Sequence, residues 1–359
     1  MDRVIRQQIR YVRTRDGVQL AWADAGQGPL LVKAANWLTH LEYDWESPVW
    51  SHWMRFFSEH FRFVRYDERG CGMTDWNVGD LSFERWVEDL ETVIETAVPP
   101  DRKVLLLGIS QGGAACIPFA ARHPERVAGL ILYGTYAKGY SRRGDPAAEQ
   151  ECLAIAELAR LGWGRDNPVF RQVFTGRFIP DANAEQVTWF NDLCRKTTSP
   201  DVAAELLIAR GQVEVSEYLS QLRVPTLVVH ARGDQVVPFA AGRYVATGIP
   251  GAQFVELDSR NHVLLDGEPA WERFKQVVLD FAGVAPDAAG EDAAFADLSP
   301  REREVLTLIA EGLGNADIGQ RLSISEKTVR NHISNLFDKL GVWTRAQAMV
   351  FARDHGFRA

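Results

Sequence analysis

Residues Lys103–Gly113, KVLLLGISQGG, constrain the fold more than any other stretch of the chain. An unbroken apolar run ends in Gly108-Ile109-Ser110-Gln111-Gly112, after which a helix can begin. A short run that is apolar throughout, rather than at alternate positions, fits a strand covered on both faces. The G-x-S-x-G spelling then requires a strand–turn–helix corner too tight for a side chain at either glycine. Such a corner lifts the Ser110 hydroxyl above the sheet at a helix N-terminus. There the Gln111 backbone N–H and the helix dipole can stabilise an oxyanion.

Similar runs recur along the chain. Pro29–Ala34, Phe61–Tyr66, Val127–Tyr133, Thr226–His230 and Gln253–Leu257 also read as buried strands bounded by Gly or Pro. Between them, Leu81–Val98 carries Phe83, Trp86, Val87, Leu90, Val93, Ile94 and Ala97 at three- and four-residue steps, the stripe of a helix. Alternating strands and helices predict an α/β fold, a mostly parallel sheet with helices on both faces. Roughly ninety residues separate Tyr133 from Thr226 without continuing the alternation. Their helical patterns, Glu149–Leu161 and Ala203–Gln212, predict a cap over the sheet at about 136–223.

The 359 residues suggest two domains. The composition shifts at Gly283–Asp297, GVAPDAAGEDAAFAD, where only Val284 and Phe295 are large and apolar. We read 284–297 as a linker between a domain at 1–283 and another at 298–359, an acidic surface loop being the alternative. The chain has 40 Lys+Arg against 48 Asp+Glu, a net charge of −8, which argues against nucleic acid. That average hides a division. From Leu298 onward there are nine basic and seven acidic residues, so the acidity belongs to the first domain. Four unclustered cysteines, no apolar run of membrane length and no secretory leader point to a cytoplasmic protein. No metal-ligand cluster and no phosphate-cradling loop implies a cofactor.

A serine hydroxyl needs an imidazole base, and the base needs a carboxylate to orient it. Asp234 follows the strand Thr226–His230, and His262 follows Gln253–Leu257. Singly, Asp234 would read as a turn residue and His262 as a loop histidine. In the order Ser110, Asp234, His262, each after a strand, they form a candidate catalytic triad. Over roughly residues 1–283 the chain resembles the α/β-hydrolase family. Tyr66-Asp67-Glu68-Arg69-Gly70-Cys71-Gly72 is similar to that family's Y-D-x-R-G-x-G segment, with Thr74 where many members carry Ser. The resemblance implies a second oxyanion donor in the loop after Pro29–Ala34. Many members have His-Gly there, whereas this chain reads Ala35-Asn36-Trp37, so the Trp37 amide is the candidate by position. Trp37, Trp45, Trp50, Trp53, Trp163 and Trp189 either line an aromatic pocket or fill core between sheet and cap.

The C-terminal stretch reads as four short helices. Ser299 caps the first, with Pro300 at its first position and Glu302 completing a capping box. In the third, Val329, Ile333, Leu336, Phe337 and Leu340 share one face. Lys327, Arg330, Asn331, Ser334 and Asn335 share the other, an arrangement suited to a DNA major groove. The spelling R-E-x-E-V-L, I-S-x-x-T-V-x-x-H and K-L-x-V-x-x-R closely resembles the LuxR-type helix-turn-helix module. That resemblance implies base contacts from Arg330, Asn331 and Ser334, and phosphate contacts from Lys327, Thr328 and His332. It also implies a homodimer on a pseudo-palindromic operator of double-stranded DNA. Gly319 stands where the family usually has Ala, weakening its helix by about 0.5–1 kcal/mol. Together the two resemblances imply a DNA-binding transcriptional regulator whose first domain binds a small apolar or aromatic ligand. The alternative is an active serine hydrolase, of esterase or lactonase type, that cleaves its signal molecule.

Overall fold

The computed structural model describes residues 5–284, 295 and 298–354. Two compact units result, Met1–Val284 and Ala285–Ala359. Most of the expected linker, 284–297, lies outside the described residues. Phe295 does not behave as linker: its ring is buried against Phe351, and its carbonyl accepts from the Leu298 N–H (3.0 Å) and from Arg303 (2.9 Å). The helical unit therefore begins a few residues before its first helix, because one large apolar side chain finds a place in its core.

The large unit is built on an eight-stranded sheet in the order β1-β2-β4-β3-β5-β6-β7-β8. The strands are β1 (Gln8–Arg13), β2 (Gln19–Ala25), β3 (Leu30–Lys33), β4 (Arg62–Tyr66), β5 (Val104–Ile109), β6 (Val127–Tyr133), β7 (Thr226–Ala231) and β8 (Gln253–Leu257). From β4 to β8 all pairings are parallel. The six strands expected from the apolar runs are these. The antiparallel β1 and β2 were not expected, since β1 is an exposed edge strand rich in arginine. Strands β5, β6 and β7 occupy the middle and are almost wholly buried, which is why their sequences lack polar alternation.

Helices α1 (Leu41–Trp45), α2 (Ser51–His60), α3 (Phe83–Ala97), α4 (Gln111–Arg122), α10 (Phe239–Gly248) and α11 (Pro269–Ala282) accompany the sheet. Between β6 and β7 lie α5 (Pro146–Gly162), α6 (Val169–Phe178), α7 (Ala184–Thr197), α8 (Pro200–Gly211) and α9 (Ser216–Leu219). Helices α5, α7 and α8 start at side-chain caps, Asp145, Asn183 and Ser199. No described helix is long and apolar enough to cross a membrane.

The second unit contains α12 (Pro300–Ala310), α13 (Asn315–Leu322), α14 (Glu326–Leu340) and α15 (Arg345–Asp354). Its core gathers Val305, Leu306, Ile309, Ile318, Val329 and Leu336. The Ser299–Glu302 capping box forms, and Lys339 reaches the same carboxylate at 2.7 Å. Gly319 has a packing reason. A Cβ there would stand 2.9 Å from the Ile324 carbonyl oxygen, so an alanine would push α13 away from the turn that leads into α14.

Candidate functional site

At the tip of β5 the backbone of Ser110 adopts φ 53°, ψ −124°, a conformation that L-residues populate only when their surroundings hold them there. The surroundings are explicit. A Cβ on Gly108 would lie 2.3 Å from Gly113 Cα, and one on Gly112 would lie 2.7 Å from the Ala35 carbonyl oxygen. The Ser110 N–H donates to Tyr133 O (2.9 Å), and the Ser110 carbonyl accepts from the Thr135 hydroxyl (2.6 Å). The corner is thereby stitched to the end of β6 and pressed against the loop after β3.

Asp234 and His262 come together as expected. His262 Nδ1 and Asp234 Oδ2 are 2.6 Å apart, while Asp234 Oδ1 accepts from the Val236 and Val237 N–H groups at 2.8 and 3.0 Å. Burial opposes its charge, yet His262, His230 and the Val237 N–H together hold Asp234 below the usual carboxylate range. His262 Nε2 is buried and has no hydrogen-bond partner among the described residues. The loop carrying His262 is tied to the cap: its N–H donates to Phe178 O (2.8 Å), and the Phe178 ring stands edge-on to the imidazole at 5.2 Å. No hydrogen bond joins the Ser110 hydroxyl to His262 in this structure, a looseness common before substrate binds.

The two candidate oxyanion donors are backbone groups. Gln111 is the first residue of α4, so its N–H has no acceptor within the helix. Trp37 lies in the loop after β3, which Gly112 touches, and its N–H donates to no described residue. Asn36 braces this loop, accepting from Lys33 Nζ and donating to Trp37 O at 3.2 Å. Sequence reasoning missed Glu68. Its carboxylate accepts from the Gln111 side chain, its second oxygen has no partner, and burial pushes it up to about 7. Its neighbour Arg69 is structural, held bidentately by Asp89 at 2.6 and 2.8 Å and by Asp16 at 2.9 Å.

Above Ser110, under the cap, lies a cavity of about 240 Å³. Tyr136, Tyr140, Phe174, Phe178 and Leu207 supply apolar wall. The six tryptophans do not line it. Trp37, Trp50, Trp53 and Trp163 are buried core, with Trp37 packed on Trp163 and Phe174, and Trp189 stacks on Tyr43 outside the cavity. Three arginines, Arg143, Arg177 and Arg210, also reach the cavity, and nothing in the sequence pattern singled them out.

In the second unit, α14 presents Lys327, Arg330, Asn331 and Ser334 to solvent, while Val329 and Leu336 are buried behind them. The spacing of three, four and seven residues aligns the four on one face. Thr328 and His332 are half-buried at its margins. The Thr328 hydroxyl is engaged with Ser325, the residue that caps the helix (2.8 Å). Arg330 makes only a 3.4 Å contact with Glu326, an exposed pair worth little.

Comparison with known proteins separates the same two regions. The family model "Serine aminopeptidase, S33" matches residues 52–270, and "Bacterial regulatory proteins, luxR family" matches 296–352. The AB hydrolase superfamily protein YisY of Bacillus subtilis is 26% identical over 262 residues, covering 70% of this chain and 91% of that protein. The transcriptional regulatory protein LiaR of Bacillus subtilis is 32% identical over 165 residues, covering 44% of this chain and 77% of that one. A solved hydrolase from Pseudomonas aeruginosa PA01 superposes with a TM-score of 0.63 at 25% identity, over 77% of this chain and 98% of its own. The chain thus belongs to the S33 serine aminopeptidase family of α/β-hydrolases and carries, as its second unit, a LuxR-family DNA-binding module.

Proposed function

We propose that this protein is a transcriptional regulator in which a small molecule, bound in the cavity above Ser110, alters DNA binding by the α14 face. The observation that carries the reading is a cavity of about 240 Å³ on the same chain as a LuxR-family module. The cavity is built to sense. Phe174 and Phe178 of α6 line it, and the Phe178 carbonyl holds the loop of His262, so an occupant that shifts α6 also shifts that loop. The energetic demand is small, since tenfold modulation of DNA affinity needs about 1.4 kcal/mol of coupling. On DNA, Arg330, Asn331 and Ser334 reach base edges, and Lys327, Thr328 and His332 hold phosphates. Two copies read a pseudo-palindrome with half-sites about one helical turn apart.

A second reading, a serine hydrolase that cleaves its own signal, is favoured by the 2.6 Å Asp234–His262 contact and by the strained Ser110 backbone. Ser110 would attack, His262 would take its proton, Asp234 would orient the ring, and the Gln111 and Trp37 amides would receive the oxyanion. The Ser110→Ala variant separates the readings when assayed for cleavage of short and aromatic esters and for ligand-dependent promoter binding. A variant that keeps the ligand response, with a wild type that cleaves nothing, leaves the receptor alone. Loss of response together with cleavage requires the hydrolase.

A further inference from the structure

Several buried or half-buried guanidinium groups in this protein have anionic or carbonyl partners, although Arg126 Nε and Nη2 and Arg171 Nε have none among the described residues. Arg69 is clasped by two aspartates, and Arg171 donates to the carbonyls of Trp163 (2.7 Å), Gly162, Arg165 and Asp166. Arg177, at the cavity wall, pairs with Glu151 at 3.0 Å and donates to Gln235 O. At the same cavity Arg210 and Arg143, unlike Arg177, have no carboxylate partner among the described residues. Arg210 of α8 makes no ion pair and no hydrogen bond among the described residues; its guanidinium lies 4.2 Å over the Trp37 ring. Arg143 spends its Nε–H on the Lys138 carbonyl and has no carboxylate partner. Both line the cavity that contains Ser110.

Tyr136 lies within electrostatic range of both. It is 5% exposed, lines the same cavity, lies 5.4 Å beneath the Arg143 guanidinium, and its hydroxyl has no hydrogen-bond partner among the described residues. Glu68 lies within electrostatic range of Arg210 but not in contact, and Glu151 is taken by Arg177. Burial lowers both arginines from their usual range. A pocket wall with two unanswered forked donors and a free phenol is complementary to a pair of anionic oxygens. The large unit is itself net acidic and carries most of the chain's excess of acid, so this cationic wall is a local device and not a consequence of overall charge.

We propose that the cavity selects a small molecule bearing a carboxylate, held by Arg143, Arg210 and the Tyr136 hydroxyl, with its apolar body against Phe174, Phe178 and Leu207. This deepens the reading of the cavity as the ligand site and rests on it. Titration calorimetry on the full chain carrying Ser110→Ala, which cannot turn a ligand over through Ser110, tests it. The probes are phenylacetate and straight-chain carboxylates of two to eight carbons, the neutral isostere phenylacetamide, and benzylphosphonate. At least one carboxylate is expected to bind tenfold or more tighter than its amide. Arg210→Gln and Arg143→Gln should each weaken it at least fivefold while leaving the amide within twofold, and Arg210→Lys should fall between. Because Arg210 makes no hydrogen bond among the described residues and Arg143 satisfies only the Lys138 carbonyl, both Gln variants should unfold within a few degrees of the parent.

Amides binding as well as acids, no acid binding at millimolar concentration, or an unchanged acid affinity in Arg210→Gln overturns the proposal. Benzylphosphonate binding tenfold tighter than every carboxylate overturns it in favour of a phosphoryl group. Promoter binding that responds to neutral compounds alone would sink this proposal and spare the sensor. Acid binding with no effect on DNA would do the reverse.

Discussion

In the large unit the side chains proposed to act on a small molecule are buried and come from three distant places in the chain, Ser110, Asp234 and His262. In the helical unit Lys327, Arg330, Asn331 and Ser334 stand exposed on about two turns of one helix. Two buried glutamates show the same difference in electrostatic terms. Glu302 is opposed by burial but answered by Lys339 and by the N–H and hydroxyl of Ser299, and it falls to about 2. Glu68 has the Gln111 side chain and little else, and burial raises it to about 7. One glutamate serves the fold and is satisfied. The other sits beneath the proposed oxyanion donor Gln111 and keeps an unanswered oxygen. A buried polar group left without a full set of partners is where this molecule departs from the requirements of folding, and Arg143, Arg210 and Tyr136 extend the pattern.

The comparison breaks most sharply at the serine corner. Gly108→Ala forces a Cβ into the backbone of Gly113, and we expect a loss of about 3 kcal/mol or more in denaturant unfolding of the large unit. Stability within about 0.5 kcal/mol of wild type would mean that the corner relaxes and is not held by its glycines. Arg330→Ala should act the other way. Stability stays within about 0.5 kcal/mol, while specific operator affinity falls by about 1–3 kcal/mol, measured by fluorescence anisotropy. Unchanged sequence preference would move the reading surface off α14.

A smaller effect separates the glutamates by pH. Glu68 has its folded value raised, so it contributes stability fully present below about pH 4.5 and lost as pH rises through about 7. Glu68→Gln should therefore be more stable than wild type at pH 8, by at most about 3 kcal/mol, and equal to it near pH 4. Glu302 has its folded value lowered, so its contribution is present above about pH 4.5 and lost as pH falls toward 2. Glu302→Gln should flatten the acid limb of the helical unit's unfolding and leave the neutral range with a modest, constant loss. Reversed slopes would show that the two environments are misassigned.

Much of this was legible in the sequence because the physics is local. A fully apolar run announces a doubly covered strand, G-x-S-x-G announces its own turn, and the α14 face follows from helical period alone. Asp234 and His262 were legible because each sits on a loop directly after a strand of a parallel sheet, and topology gathers such loops at one edge. The tryptophans misled in one of the two readings open to them, since an aromatic side chain fills core and lines pockets equally well. Only packing showed that Trp37, Trp50, Trp53 and Trp163 are core.

By itself, the sequence determined the two-unit organisation, the parallel sheet, the order of the candidate triad and the outward face of α14, because each depends on the spacing of residue types along one segment. Tertiary structure alone decided that the cavity wall is tyrosine, phenylalanine and arginine. It also decided that Glu68 lies under Gln111, that Gly319 yields to the Ile324 carbonyl, and that Arg210 has no partner where Arg171 has four. Whether a charge is satisfied depends on groups brought near it from elsewhere in the chain, and no local pattern carries that information.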